Sequence, residues 1–232
     1  MNNEVESKIE IDVMTLFPEV CEEYFSSSII GRARKKGVLD IHCHQIRDFA
    51  YDKHKRVDDT PYGGGKGMVM MAEPIFECFE HVCDMRGTRP HLIYMSPKGK
   101  IFNQELAKNL KSYRNLAILC GHYEGVDERV LEEIVDEYIS IGDYVLTGGE
   151  IPAMALVDAV SRMVPGVLSE DICFEEESHY DGMLEHPQYT KPYEWHGKCV
   201  PDVLISGHHA KIEKWKLENS LKETAKYRPD LL

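Results

Sequence analysis

Tyr138-Ile139-Ser140-Ile141-Gly142-Asp143-Tyr144-Val145-Leu146-Thr147-Gly148-Gly149-Glu150, followed by the apolar run Ile151–Val164 and then Pro165-Gly166, reads as one strand, one loop and one helix. Tyr138–Ile141 is short, apolar and β-rich, which suits a buried strand. The loop after it carries glycines at 142, 148 and 149, where a backbone can approach a ligand closely. Pro152 falls in the first helical turn, where its missing N–H costs nothing. Pro165-Gly166 then stops the helix.

The same alternation repeats upstream. Ile9–Met14, Leu39–Ile46, His91–Met95 and Leu116–Cys120 read as strands. In the second of these Ile41 and Cys43 face away from His42 and His44. Glu19–Ser27, Glu73–Met85, Asn103–Lys111 and Asp127–Val135 carry helical patterns between them. This rhythm predicts an α/β domain, with a mostly parallel sheet covered by helices on both faces. Downstream the composition changes. Ser169–Ser178 (SEDICFEEES) is acidic and aperiodic and reads as a linker. Trp195–Gly207 carries short β-like pieces, and His209–Lys226 a helix with Ile212, Trp215 and Leu221 toward a core. The expected organisation is a domain over 1–168, a linker over 169–178 and a small, mainly helical domain over 179–232.

Apolar residues make up 43% of the chain and charged residues 29%, which suits a packed, water-exposed protein. No apolar run reaches the ~18 residues needed to span a bilayer. Met1–Lys8 lacks the basic and then apolar layout of a secretory signal, so a cytoplasmic location and no membrane partner are expected. The seven cysteines form no CxxC pair and are odd in number, which speaks against a disulfide framework. The net charge of −13 opposes wholesale phosphate binding. Basic residues nevertheless gather at Arg32–Lys36, at Lys53–Arg56 and in the last helix, including Lys211 and Lys214. These are candidates for nucleic-acid contacts or for solvated faces.

Tyr62-Gly63-Gly64-Gly65-Lys66-Gly67-Met68 is an unusual run, but it is not a phosphate-binding loop, because Gly67 stands where Ser or Thr is required. No GxGxxG follows a strand. Three other loops end strands in small residues: Tyr94–Pro97, Cys120–Gly125 and Ile141–Glu150. Ligands of open α/β sheets bind outside strand C-termini, so together these loops point to a nucleotide-like ligand. Side chains added at Gly121, Gly142 or Gly148 are expected to intrude on that pocket or to be disallowed by the backbone. His42-Cys43-His44 and Cys78, His81 and Cys83 mix plausible metal ligands, but on a strand His42 and His44 share one face and Cys43 points away; no metal site is expected.

Leu16-Phe17-Pro18, Arg47-Asp48-Phe49, Val57-Asp58-Asp59 with Pro61–Gly65, Tyr123-Glu124-Gly125 with Asp127-Glu128-Arg129, Ser140–Leu146, Gly148-Gly149-Glu150, Ser161-Arg162, Pro165–Leu168, Pro187–Thr190 and Ser206–His209 before Trp215 form a long ordered set. Through these the chain resembles the bacterial tRNA (guanine-37-N1)-methyltransferase family from about Ile9 to Leu232. The resemblance implies a SPOUT-type α/β domain with a C-terminal trefoil knot, S-adenosylmethionine as methyl donor, and a homodimer whose active sites are shared. It implies a tRNA partner with a guanine 3′ of the anticodon. The donor pocket would comprise Tyr94, Met95, Ser96, Pro97, Gly121, Tyr123, Gly125, Ile141, Gly142, Asp143, Tyr144, Val145, Leu146, Gly148, Gly149 and Pro152. Arg162 would face guanine O6, Glu124 the guanine donors, with Asp58 and Ser178 also at the substrate.

Two departures from the family stand out. Its general base is usually an aspartate followed by serine; here Glu175-Glu176-Glu177 precede Ser178, and the register of the serine selects Glu177. Many members continue beyond the position of Leu232, so an abbreviated C-terminal domain is expected. The sequence leaves open whether Mg²⁺ assists. It also leaves open a same-fold enzyme with another target nucleotide, a noncatalytic RNA-binding relative, and a metallohydrolase built on the His and Cys residues.

Overall fold

The computed structural model describes residues 8–168, 178–180 and 182–232. The chain divides into two compact units, Met1–Ser169 and Glu170–Leu232.

The first unit is built on five parallel strands: β1 (Ile9–Thr15), β2 (Leu39–Gln45), β5 (His91–Ile101), β6 (Asn115–Cys120) and β7 (Glu137–Ser140). Their order across the sheet is β2-β1-β6-β5-β7. Ile9 pairs with Leu39, Glu10 with Asn115, His91 with Leu116 and Ile93 with Glu137. Each of the five overlaps a strand run read from the sequence, but the runs expected to reach Ile46 and Ile141 stop at Gln45 and Ser140. Two further strands, β3 (Asp58–Asp59) and β4 (Val69–Met70), form a short antiparallel pair that closes the glycine-rich loop. Two residues are too few for a periodic signal, so this pair is invisible in the sequence.

Helix α6 (Glu150–Ser161) neighbours both α1 (Pro18–Phe25) and α4 (Gln104–Leu110), while α3 (Ala72–Arg86) and α5 (Glu128–Ile134) neighbour each other. Local chemistry fixes their ends. Pro18 opens α1, the Asn103 side chain accepts from the Leu106 N–H to cap α4, and Gly87 ends α3 at φ 66°. Alternation along the strands separates the two layers. Met14, Leu92, Tyr94, Ala117 and Leu119 pack with Ile75, Phe79 and Val82 of α3 and Leu131 of α5. The helical pattern expected to end at Ser27 instead breaks there. A second helix, α2 (Ser28–Lys35), follows, bringing Gly31 against the Ser26 carbonyl, where no side chain fits.

The second unit contains a hairpin, β8 (Glu194–Trp195) with β9 (Lys198–Cys199), then α7 (Asp202–Ile205) and α8 (His209–Tyr227). Part of the Trp195–Gly207 run is therefore helical. On α8, Ile212 and Trp215 are half-buried, but Leu221 is 42% exposed, contrary to expectation. It lies nine residues from Ile212, about 180° around the helix. Thr224 is buried instead: its hydroxyl donates to the Ser220 carbonyl and accepts the Leu184 N–H.

Candidate active site

Because β6, β5 and β7 are parallel neighbours, the loops that follow them emerge on one edge of the sheet. There they enclose a cavity of about 440 Å³, within the usual range for small-molecule sites. Every residue expected to hold the donor lines it except Asp143, which is exposed. The β5 segment reaches the cavity through an irregularity. Its pairing with β7 shifts between Met95 and Lys100, so Ser96, Pro97 and Lys98 step out of the sheet and into the wall.

The wall is held from several directions. The Gly149 N–H donates to the Gly121 carbonyl, joining the loop before α6 to the loop after β6. Tyr123 adopts φ 58°, and its hydroxyl accepts from the Arg47 guanidinium at 3.1 Å. Met70 of β4 accepts the Asp127 N–H and donates to the Gly125 carbonyl, while the Glu124 N–H donates to the Met68 carbonyl. The glycine-rich run is thus pinned beside Glu124. A side chain at Gly67 would meet the Glu124 carboxylate at 2.5 Å, and Gly67 is at φ 86°. Glu124 itself lines the cavity, whereas Asp58 does not. Burial pushes the Tyr94 phenol up to about 12, so this part of the wall stays neutral.

Arg162 is elsewhere. It follows the last turn of α6, while Pro152 at the cavity stands in its first. Ten residues of helix separate them by about 15 Å. Arg162 lines a second, smaller hollow with Tyr24, Ser27, Asp158 and Leu168, and the Tyr24 hydroxyl donates to the Asp158 carboxylate at 2.5 Å. Ser178 belongs to the second unit, where its hydroxyl accepts the Glu185 N–H. Glu175, Glu176 and Glu177 lie outside the described residues.

Several residues join the cavity that the sequence reading had not assigned to it. His122 sits inside a quoted loop, between two assigned neighbours, and Thr147 likewise. Lys98 and Glu128 approach within 3.3 Å, an ion pair between wall residues 30 positions apart. Local reading of the loops cannot find such a pair, because a contact across 30 positions leaves no spacing signal.

The basic clusters are less bare than they look in the sequence. Arg34 is fixed to the Glu22 carboxylate and the Ile41 carbonyl, so it serves the fold. Lys55 pairs with Asp48, Arg56 with Asp52 and Lys214 with Glu218. These last pairs are exposed and screened by solvent, so each contributes little and can exchange for phosphate. Burial pushes the Cys21 thiol up to about 12 and holds those of Cys43, Cys78 and Cys120 well above the usual thiol range. They are neither nucleophiles nor ready metal ligands at neutral pH. Among the described residues no three His, Cys, Asp or Glu side chains are grouped to hold a metal ion. His44 is occupied by Asp12 at 2.7 Å. No helix among the described residues is long and apolar enough to cross a membrane.

Comparison with known proteins agrees with this geometry. The family model tRNA (Guanine-1)-methyltransferase TrmD matches residues 9–232. The tRNA (guanine-N(1)-)-methyltransferase of Ruminiclostridium cellulolyticum is 54% identical over 96% of this chain and 96% of its own length. That of Lachnospira eligens is 55% identical over 96% and 94% respectively. The crystal structure of the tRNA (m1G37) methyltransferase from Aquifex aeolicus superposes with a TM-score of 0.79 at 42% identity, covering 96% of this chain and 94% of that one. Matched from its first strand to its last residue and more than half identical to such relatives, the chain belongs to the tRNA (Guanine-1)-methyltransferase TrmD family.

Proposed function

We propose that this chain methylates N1 of guanine-37 in tRNA, using S-adenosylmethionine held in the cavity at the edge of β6, β5 and β7. The observation that carries the reading is the convergence of the loops after β5, β6 and β7 on one cavity of about 440 Å³. The residues fit such a donor: Tyr94, Leu131, Ile139 and Leu146 offer apolar surface, and Gly121, Gly148 and Gly149 leave backbone accessible to a flat base. Bound there, the donor supplies an electrophilic methyl carbon, whose bond to sulfur breaks as the bond to N1 forms.

The chain's own residues do the rest. Neutral guanine carries a proton on N1, which Glu177 takes as general base. Arg162 sets its guanidinium against O6, where negative charge develops as that proton leaves. Glu124, at the cavity wall, accepts from the guanine N–H groups, and Asp58 and Ser178 help hold the splayed nucleotide.

Arg162 and the cavity of one chain stand at opposite ends of α6. This separation supports a homodimer in which a second copy supplies Arg162 to the cavity of the first. The apolar surface at Tyr144, Val145 and Ile151, exposed by 55%, 83% and 58%, is surface such a partner and the substrate would cover. The same reading gives the domain a trefoil knot, supported by the contact of Gly149 with the backbone of Cys120 and Gly121. A tRNA substrate implies a cytoplasmic location.

The test is nucleoside mass spectrometry of unmodified tRNA after incubation with protein and donor. One methyl per tRNA, as 1-methylguanosine at position 37, is the expected product. Methylation at another nucleotide, or none, overturns the reading. Rates with Mg²⁺ and with a chelator decide whether the cation assists.

A further inference from the structure

Behind the cavity wall lies a buried carboxylate that the chemistry above does not use. Glu150 opens α6 and is only 9% exposed. Its Oε1 accepts from the hydroxyl of Thr15 at 2.7 Å. Thr15 is fully buried at the end of β1, and its oxygen also accepts the Phe17 N–H at 3.0 Å. The other oxygen, Oε2, faces the backbone of Gly148. A side chain at Gly148 would collide with Oε2 and lie 3.0 Å from Nδ1 of His122. The two atoms therefore flank one small space. Nδ1 of His122 is buried and has no hydrogen-bond partner in the structure. The imidazole is held edge-on between Phe17 and Tyr123, with ring centroids 5.1 Å and 4.8 Å away. His122, Gly148 and Gly149 line the cavity; Glu150 and Thr15 do not.

A buried carboxylate is costly unless several donors meet it. Here the first turn of α6 supplies a favourable dipole and Thr15 one neutral donor. A buried ring nitrogen without a partner is likewise costly. Each shortfall is the remedy for the other. Nδ1–H of His122 can donate to Oε2 of Glu150 after a small movement of the loop that carries it. We infer that Glu150 is a positioning residue for the methyl donor: it ties the end of β1, the loop after β6 and the start of α6 together behind the wall, with His122 acting through it. Gly148 is required because this contact occupies the place of its side chain. The role is geometric, so it applies alike to the cationic donor and to its neutral demethylated product.

This rests on the cavity being the donor site, and the experiment keeps the two apart. Calorimetry would measure S-adenosylmethionine and S-adenosylhomocysteine binding to the wild-type protein, Glu150→Gln, His122→Phe and the double variant. Glu150→Gln keeps the shape and an acceptor for Thr15. His122→Phe keeps the ring packing against Phe17 and Tyr123. The expected result is a roughly tenfold loss of affinity for both ligands in either single variant, the worth of one charge-assisted hydrogen bond. The double variant should be no weaker than the singles. With tRNA saturating, KM for the donor should rise while kcat stays within about twofold. Glu150→Asp, one methylene shorter but charged, should recover part of the affinity if Thr15 and His122 are its partners.

Unchanged affinity in a folded Glu150→Gln protein overturns the inference while leaving the donor site intact. Additive losses in the double variant overturn it too, as they make the two residues independent. A loss confined to the cationic donor would replace positioning by charge attraction. Failure of the wild-type protein to bind either ligand overturns this inference and the donor site together.

Discussion

The proposed mechanism places the general base at Glu177, which differs from the family's usual aspartate in side-chain length, being one methylene longer. A misplacement of about 1 Å can cost ~100-fold in rate. In single-turnover assays, Glu177→Gln should lose roughly 100-fold or more with donor and tRNA binding retained, the order of a general-base contribution. Glu176→Gln should stay near wild type. Equal, near-wild-type rates for both would remove Glu177 from the chemistry. At this scale the sequence was legible where function is local. The glycines and aromatics lining the cavity could be named because each loop follows its strand directly. The Thr15–Glu150 bond spans 135 positions and the Arg47–Tyr123 bond 76, and no spacing rule reaches across such gaps.

Among the elements, the joint between β1, β2 and the end of α3 depends on one buried ion cluster. Arg86 donates to Asp12 at 2.8 Å and to Asp40 at 2.8 Å, and His44 also meets Asp12. The Asp12 side chain has no solvent exposure and that of Arg86 only 7%. Arg86→Met would leave Asp12 buried without its main counter-ion, and about 3–5 kcal/mol of stability should go in urea melts at pH 7. A loss below 1 kcal/mol would contradict this. Burial pushes the Asp40 carboxyl up, but the hydrogen bonds from Lys8 and Arg86 outweigh it and hold the group well below the usual carboxylate range. A depressed folded-state value means stabilisation that is complete above about pH 4 and lost as pH falls further. Asp40→Asn should therefore flatten the acid limb of the stability curve below about pH 4. An unchanged limb would show that Asp40 contributes nothing there. Strands β5 and β6 were legible because parallel strands buried on both faces read as continuous apolar runs, and edge strand β2 because its residues alternate. Helix α2 was not, since Ser26-Ser27 and Gly31 mimic a loop. Leu221 misled because apolar character alone does not say which side of a helix is inward.

For the whole molecule, a net charge of −13 must coexist with binding to a polyanion. Lys53, Lys55 and Arg56 stand at the surface, with Lys55 and Arg56 held in exchangeable pairs. Reversing Lys53 and Lys55 to glutamate should weaken tRNA binding and lower the slope of log affinity against log salt by about 1.5. An unchanged affinity and slope would make this cluster a solvated face. The larger claim concerns how a complete site is assembled, since the donor cavity and Arg162 of one chain lie about 15 Å apart along α6. Its most direct test is complementation between two inactive variants, co-expressed with different tags. Gly121→Val drives a side chain into the Tyr94 ring, 2.8 Å from the hydroxyl, and closes the cavity. Arg162→Ala removes the cation. Half of randomly paired dimers are hybrids, and each hybrid joins one intact cavity to one intact Arg162. Activity should return to about one quarter of wild type in the mixture and about one half in purified hybrids. No activity in purified, folded hybrids would contradict a shared site.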